Sequence, residues 1–271
     1  MSGVIQAGLL NPWDRALYLS VKDSTRFLNP SNWKAPYHGF SQAVVGRAIS
    51  GGLYYVLQSR MVALVEDTFG RELNERTMNF MVGMGAGVCN GAVLSPLAAV
   101  KYHSWGKERA RFMGTARAMA RNGGVRPFFK AVGATASRDM VFGCVYEVGR
   151  VAIRRIGTRR LEDSDHDSRV ESVAVVANMT AAALATGLSA PFNYARNMKL
   201  ATKAMNTPPT TKGALVDLWA AAKCQPTLFE RLSFLQQRLR VGWGTARVAV
   251  GMALGQLLFD KSRIILTSVA S

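Results

Sequence analysis

Three arginines, Arg47, Arg138 and Arg247, stand shortly before apolar runs at 48–59, 140–146 and 248–259. An isolated guanidinium beside an apolar run suits a helix with one face on a watery cavity. Guanidinium groups fork onto carboxylate or phosphate, so three of them around one space would favour a small anion. Asp139, next to Arg138, adds an acid to the set. The competing use is mechanical, because such arginines also brace helices or snorkel to an interface. The three cysteines (Cys89, Cys144, Cys224) and three histidines (His38, His103, His166) are scattered, with neither metal-ligand spacing nor a disulfide framework. No hydrolytic triad or phosphate loop accompanies them, so neither an enzyme nor a bound metal is expected.

Residues 79–100 and 172–195 carry no charge over 22 and 24 positions. About 20 such residues cross a bilayer core of roughly 30 Å. Gly83, Gly87 and Gly91 recur every fourth position, a spacing that lets helix backbones approach in lipid. Residues 1–13 form a shorter uncharged segment, and the three arginine-led runs bring the number of apolar segments to six.

The net charge of +17 and pI near 10.4 fit either a nucleic-acid binder or a protein against anionic lipid. Its distribution decides. Stretch 18–40 has three basic residues against one acid, 101–130 eight against one, and 196–240 eight against two. The alternate stretches 60–78 and 150–171 are close to neutral, with three against four and six against five. Positive charge on every second loop is the positive-inside pattern of a polytopic membrane protein, and it excludes nucleic acid as the expected partner. The N-terminus has neither a secretory signal nor an Arg-rich transit peptide, so any import signal is expected to be internal.

The segments repeat. Pro12-Trp13-Asp14-Arg15-Ala16-Leu17, Pro96-Leu97-Ala98-Ala99-Val100-Lys101 and Pro191-Phe192-Asn193-Tyr194-Ala195-Arg196 start 84 and 95 residues apart. Each is followed by a glycine turn (Tyr37-His38-Gly39, Phe112-Met113-Gly114, Thr211-Lys212-Gly213) and then by Arg47, Arg138 or Arg247. An aromatic-acid-x-x-base motif closes two of the units, as Tyr146-Glu147-Val148-Gly149-Arg150 and Phe259-Asp260-Lys261-Ser262-Arg263. Only a relic, Tyr54-Tyr55-Val56-Leu57-Gln58, remains in the first. This ordered set, over nearly the whole chain, resembles the mitochondrial carrier family. The resemblance implies an all-α membrane protein of three tandem two-helix repeats (1–65, 76–156 and 170–271) forming one pseudo-three-fold, six-helix domain. It also implies the mitochondrial inner membrane, with the basic loops facing the matrix.

The resemblance further implies two gates of ion pairs. At the matrix gate Asp14 is expected to pair with Lys101, whereas Arg196 would face Ala98, and Asn193 would face Leu17. The family's bracing glutamine, nine residues after each proline, is replaced by Val21, Trp105 and Leu200. At the opposite gate Asp260 and Arg263 match the pattern. Glu147 and Arg150 match by residue type, but Glu147 lies nine residues after Arg138 while Asp260 lies 13 after Arg247, a difference of about one helical turn. Arg47, Arg138 with Asp139, and Arg247 fall where carriers contact their solutes. Gly39, Gly114 and Gly213 fall where the family's helix N-termini hold cardiolipin, the lipid partner expected here.

The first repeat is short. Only 11 residues precede Pro12, and the interval from glycine to arginine is 8 residues, against 24 and 34 in the other repeats. Depleted gates and a shortened first repeat suggest a carrier fold that has stopped exchanging solutes and serves as an accessory subunit of a larger inner-membrane complex, respiratory or ATP-synthase. The alternatives are an exchanger of a small anion (carboxylate, amino acid or nucleotide), or a chain whose start lies upstream.

Overall fold

A computed structural model describes residues 2–70, 74–105, 111–159, 167–203, 206–251 and 254. These residues form helices and turns, with no strand among them. Helix α1 (Ser2–Lys22) leads through a short 3-10 helix (Pro30–Trp33) to α2 (Phe40–Phe69). Next come α3 (Glu75–Trp105), α4 (Phe112–Gly123), the single-turn α5 (Arg126–Phe129) and α6 (Val132–Arg159). α7 (Asp167–Ala201), α8 (Thr211–Lys223) and α9 (Leu228–Leu239) lead to α10, which is helical over 243–251.

Pro12, Pro96 and Pro191 lie inside α1, α3 and α7. A proline there deletes one backbone hydrogen bond and crowds the preceding turn, so it either ends or bends a helix. Here the helices run on to Lys22, Trp105 and Ala201, nine or ten residues further. The three proline helices pack against one another; α2 packs on α1 and α3, and α6 on α3 and α7. α10 meets α1 through Trp243 and Trp13, whose ring centroids are 6.4 Å apart.

Among the described residues two helices are long and apolar enough to cross a membrane, α3 over Phe80–Trp105 and α7 over Val175–Ala201. Only 17% and 33% of their most apolar windows are buried within the protein, whereas a soluble core helix would be covered all round. Val93, Leu184 and Leu188 are among the bare side chains. α2 and α6, at 30 and 28 residues, are also long. The glycine stripe of α3 is only partly used for packing. A Cβ on Gly91 would lie 3.2 Å from Thr135 of α6, whereas Gly83 and Gly87 face open space. A Cβ on Gly85, off the stripe, would lie 2.8 Å from the Met61 sulfur of α2. Helix rotation, invisible in the spacing, decides which glycine meets a neighbour.

The second and third repeats each carry an amphipathic surface helix, α4 and α8, after their proline helix. In the first repeat residues 23–39 hold only turns and the 3-10 helix. That segment is pinned by side chains. Arg15 donates to the carbonyls of Asn32 and Lys34, and Asn11 donates to that of Pro36. Asn32, itself buried, donates to the Arg26 carbonyl at 2.8 Å.

At the junction of α5 and α6, Lys130 donates to the Thr202 carbonyl at 2.5 Å, at the end of α7. Cations are favoured at helix C-termini. Burial nevertheless lowers the Lys130 pKa from 10.5 to about 8. Between those values the unfolded chain binds more protons than the folded one, so stability rises with pH. The thermal midpoint in detergent should therefore climb across this window, and Lys130→Met should flatten the climb. An unchanged slope in the variant would show that Lys130 is not its source.

Candidate functional site

The proline helices, α6 and the stretch from α9 to α10 enclose a cavity of about 610 Å³. Five arginines line it (Arg138, Arg196, Arg238, Arg240 and Arg247), with Asp14 and Asp139 as its acids. Charge of one sign in a low-dielectric cleft concentrates the opposite ion. Each arginine, however, already has a protein partner.

Asp14 and Arg247 form a two-pronged pair, Nε to Oδ1 and Nη2 to Oδ2, both at 2.6 Å. This corrects the expected Asp14–Lys101 pair. The Asp14 carboxylate is taken up by α10, whereas the Lys101 ammonium lies over the Trp105 ring at 4.7 Å and the Tyr102 ring at 5.2 Å. The pair also removes Arg247 from the set of open anion ligands. Arg138 donates to its neighbour Asp139 at 2.8 and 2.5 Å, so the Arg-acid doublet closes on itself.

Arg196 is buried, with Tyr102 and Thr135 as partners in place of an acid. It donates to the Tyr102 hydroxyl and to Thr135 Oγ1, both at 3.1 Å, and lies over the Tyr102 ring at 4.9 Å. Asn193 and Leu17, expected to face each other at the same gate, both line the cavity wall. Glu147 and Arg150 pair at 2.6 Å one turn apart on α6, so they close no gap between helices. Asp260 and Arg263 lie outside the described residues, as does the side chain of Arg47, although its backbone sits in the second turn of α2.

Of the three positions expected to hold bracing glutamines, Trp105 and Leu200 share a buried layer, whereas Val21, also buried, lines the cavity. Val21 is 3% exposed, Trp105 1% and Leu200 2%. Trp105 and Leu200 share a core with Tyr18, Leu19, Ala99, Val100, Met119 and Ala131, and Val21 packs with Tyr194 and Leu218. The Trp105 indole donates to the His38 carbonyl at 2.8 Å. Gly39 adjoins it with φ +80°, and a Cβ there would stand 2.5 Å from the indole nitrogen. Glycine is thus required both by the left-handed backbone and by the tryptophan.

No protein-family model matches the chain, and no curated protein matches it significantly.

The glycine turns differ among themselves. Gly39 caps the long helix α2, whereas Gly114 and Gly213 lie in the first turns of the surface helices α4 and α8. The Gly213 N–H is occupied by Thr210 Oγ1 at 2.9 Å. A phosphate at α8 would have to use its other free N–H groups.

Sequence reading missed Tyr102, Thr135, Arg238 and Arg240. Arg240 is buried in a left-handed conformation, φ 55°, and donates to the carbonyls of Ser20, at 2.7 Å, and Thr25. Arg238 reaches the Ser24 hydroxyl. Burial, with Arg238 nearby, lowers the Arg240 pKa to about 10. A cation on the last carbonyls of α1 caps that helix and complements its dipole. The excess of base in 196–240 was visible in the sequence, but nothing in it distinguished these two arginines from solvated ones.

Proposed function

We propose that the chain is a divergent carrier-fold protein of the mitochondrial inner membrane that no longer exchanges solutes. In this reading α1, α2, α3, α6, α7 and α10 are the six helices of a pseudo-three-fold bundle. It serves as a structural subunit of a larger inner-membrane assembly, respiratory or ATP-synthase. The equal run of helix beyond each proline, the mutual packing of the three proline helices and the alternating loop charge support the fold. Cardiolipin beside Gly39, Gly114 and Gly213 belongs to the same proposal.

The loss of transport rests on the burial of Val21, Trp105 and Leu200. An exchanger must open this end of the bundle, with one set of ion pairs breaking as another forms. Opening here would instead expose Val21, Trp105 and Leu200, at roughly 5–9 kcal/mol for three such side chains. A solute shifts an equilibrium only by its differential affinity, and about 5.5 kcal/mol already corresponds to a ten-thousandfold preference. The arginines read as braces: Arg247 ties α10 to α1, Arg196 ties α7 to α3 and α6, and Arg240 ties the α9–α10 turn to α1.

Purified protein in liposomes should therefore catalyse no saturable exchange of carboxylates, amino acids or nucleotides. In mitochondria solubilised with mild detergent it should migrate with a large complex. Saturable exchange by the protein alone would defeat the proposal. The second reading, an anion exchanger, is favoured by the five arginines against two aspartates around the cavity, and the same assay decides it.

A further inference from the structure

We infer that α9 is a membrane-interface anchor, whose N-terminal half inserts Leu228, Phe229 and Leu232 into the anionic leaflet on the basic side of the protein. The inference rests on the reading that α7 spans a membrane.

The apolar residues of α9 form one stripe, Leu228, Leu232, Leu235 and Leu239, flanked by Phe229 and Phe234. Phe234, Leu235 and Leu239 pack on the cluster of Val21, Tyr194 and Leu218. Leu228, Phe229 and Leu232 are 75%, 79% and 68% exposed and lie one turn apart or adjacent. The helix is nevertheless firmly started: Thr227 and Glu230 form a reciprocal capping box, with Glu230 N–H donating to Thr227 Oγ1 at 3.2 Å. In the second repeat the element after the surface helix is the four-residue α5; here it is twelve residues long. The added length supplies apolar surface that the core does not use.

Depth and charge identify the occupant. Tyr194, on which α9 packs, lies one residue before the end of the uncharged run at 195, and Arg196 and Lys199 follow. That is the edge of the hydrocarbon region, the level at which interfacial helices rest between headgroups and acyl chains. The elements that pack together here carry Lys199 on α7, Lys203 just after it, Lys212 and Lys223 on α8, and Arg231 on α9. Lys223 lies 6.0 Å from the centroid of Trp219, which is itself exposed on α8. Basic residues with exposed aromatic and aliphatic side chains are the composition that anionic lipid attracts.

The test uses full-length protein with Cys89, Cys144 and Cys224 replaced by alanine. It carries one nitroxide at Phe229→Cys, at Leu232→Cys or, as a mid-span control on α7, at Leu184→Cys. Accessibility to oxygen and to a water-soluble nickel chelate is read in vesicles of phosphatidylcholine, with and without phosphatidylglycerol. Labels at 229 and 232 should favour oxygen over nickel severalfold in the anionic vesicles and less in the neutral ones. Nickel contact at 229 and 232 with an oxygen-rich control would overturn the anchor and leave the span standing. Nickel contact at the control would overturn the span, and the anchor with it. Labels shielded from both reagents would mean a protein partner covers the face, which also overturns the proposal. Equal depth in both vesicles would remove its anionic component.

Discussion

Trp105→Gln should lower stability by about 3–5 kcal/mol, in the range of large-to-small changes at fully buried aromatic positions. Glutamine is the residue expected here from the resemblance to carriers, so the change tests whether the position accepts it. The indole is 1% exposed, donates to the His38 carbonyl at 2.8 Å, and packs within 5.8 Å of Tyr18 and 4.9 Å of Tyr102, centroid to centroid. Glutamine would leave a void beside Tyr18 and bury an amide whose partners are not in place. The Lys101 ammonium would also lose one of its two ring faces. Trp105→Phe separates the terms: it keeps most of the volume and loses the N–H, at a cost of about 1 kcal/mol. Thermal unfolding in detergent reads both variants. If the glutamine variant melts where the native protein does, the layer is not the lock described above.

Asp14→Ala is the second large effect, expected at about 2 kcal/mol. Breaking a buried pair costs about 3–5 kcal/mol and an exposed one under about 1, and this pair lies between. Arg247 is 17% exposed and Asp14 34%, so the penalty falls chiefly on the arginine left without its counter-charge. Replacing both partners with leucine should recover most of the loss, because the stranded charge goes with its partner. A double variant no better than the sum of the single ones would mean the two-pronged contact carries no coupling. Lys101→Met is the useful contrast. The Asp14–Lys101 gate pair would make it as damaging as Asp14→Ala, whereas the observed geometry removes only cation–ring contacts.

What could be read from the sequence followed what each feature depends on. α3 and α7 were legible because a long run without charge has few other uses, and the three prolines because they restrict the backbone whatever surrounds them. The room in which α4 and α8 lie was legible as the longer glycine-to-arginine intervals of the second and third repeats. Partners were not. Asp14 reads as a match for Lys101 by family spacing, yet the rotation of α1 and α10 turns it toward Arg247. Arg196 lacks its acid in the sequence, and no periodicity announces that a phenol and a threonine replace it. Val21, Trp105 and Leu200 were recognisable as departures from a pattern, but their burial is a property of packing. α9 carries an apolar stripe, Leu228, Leu232, Leu235 and Leu239, but nothing in the sequence distinguished the C-terminal half that packs on the core from the N-terminal half left exposed.

The ties between α1 and the far end of the chain bear on how the protein is made. Asp14 meets Arg247 across 233 positions, Ser20 meets Arg240 across 220, and Ser24 meets Arg238 across 214. Synthesis at about 5–20 residues per second leaves an interval of roughly 10–50 s between the two sides of each tie. α1 precedes the other described helices yet is thus among the last to acquire its native polar contacts. Closing so long a loop also carries an entropic cost that local helix pairs such as α6 and α7 do not meet. Assembly is then expected to proceed from the middle of the chain outward, with α2, α3, α6 and α7 in place before α1 is fastened. Biogenesis, rather than the finished fold, is the stage at which α1 depends most on chaperones or neighbouring lipid.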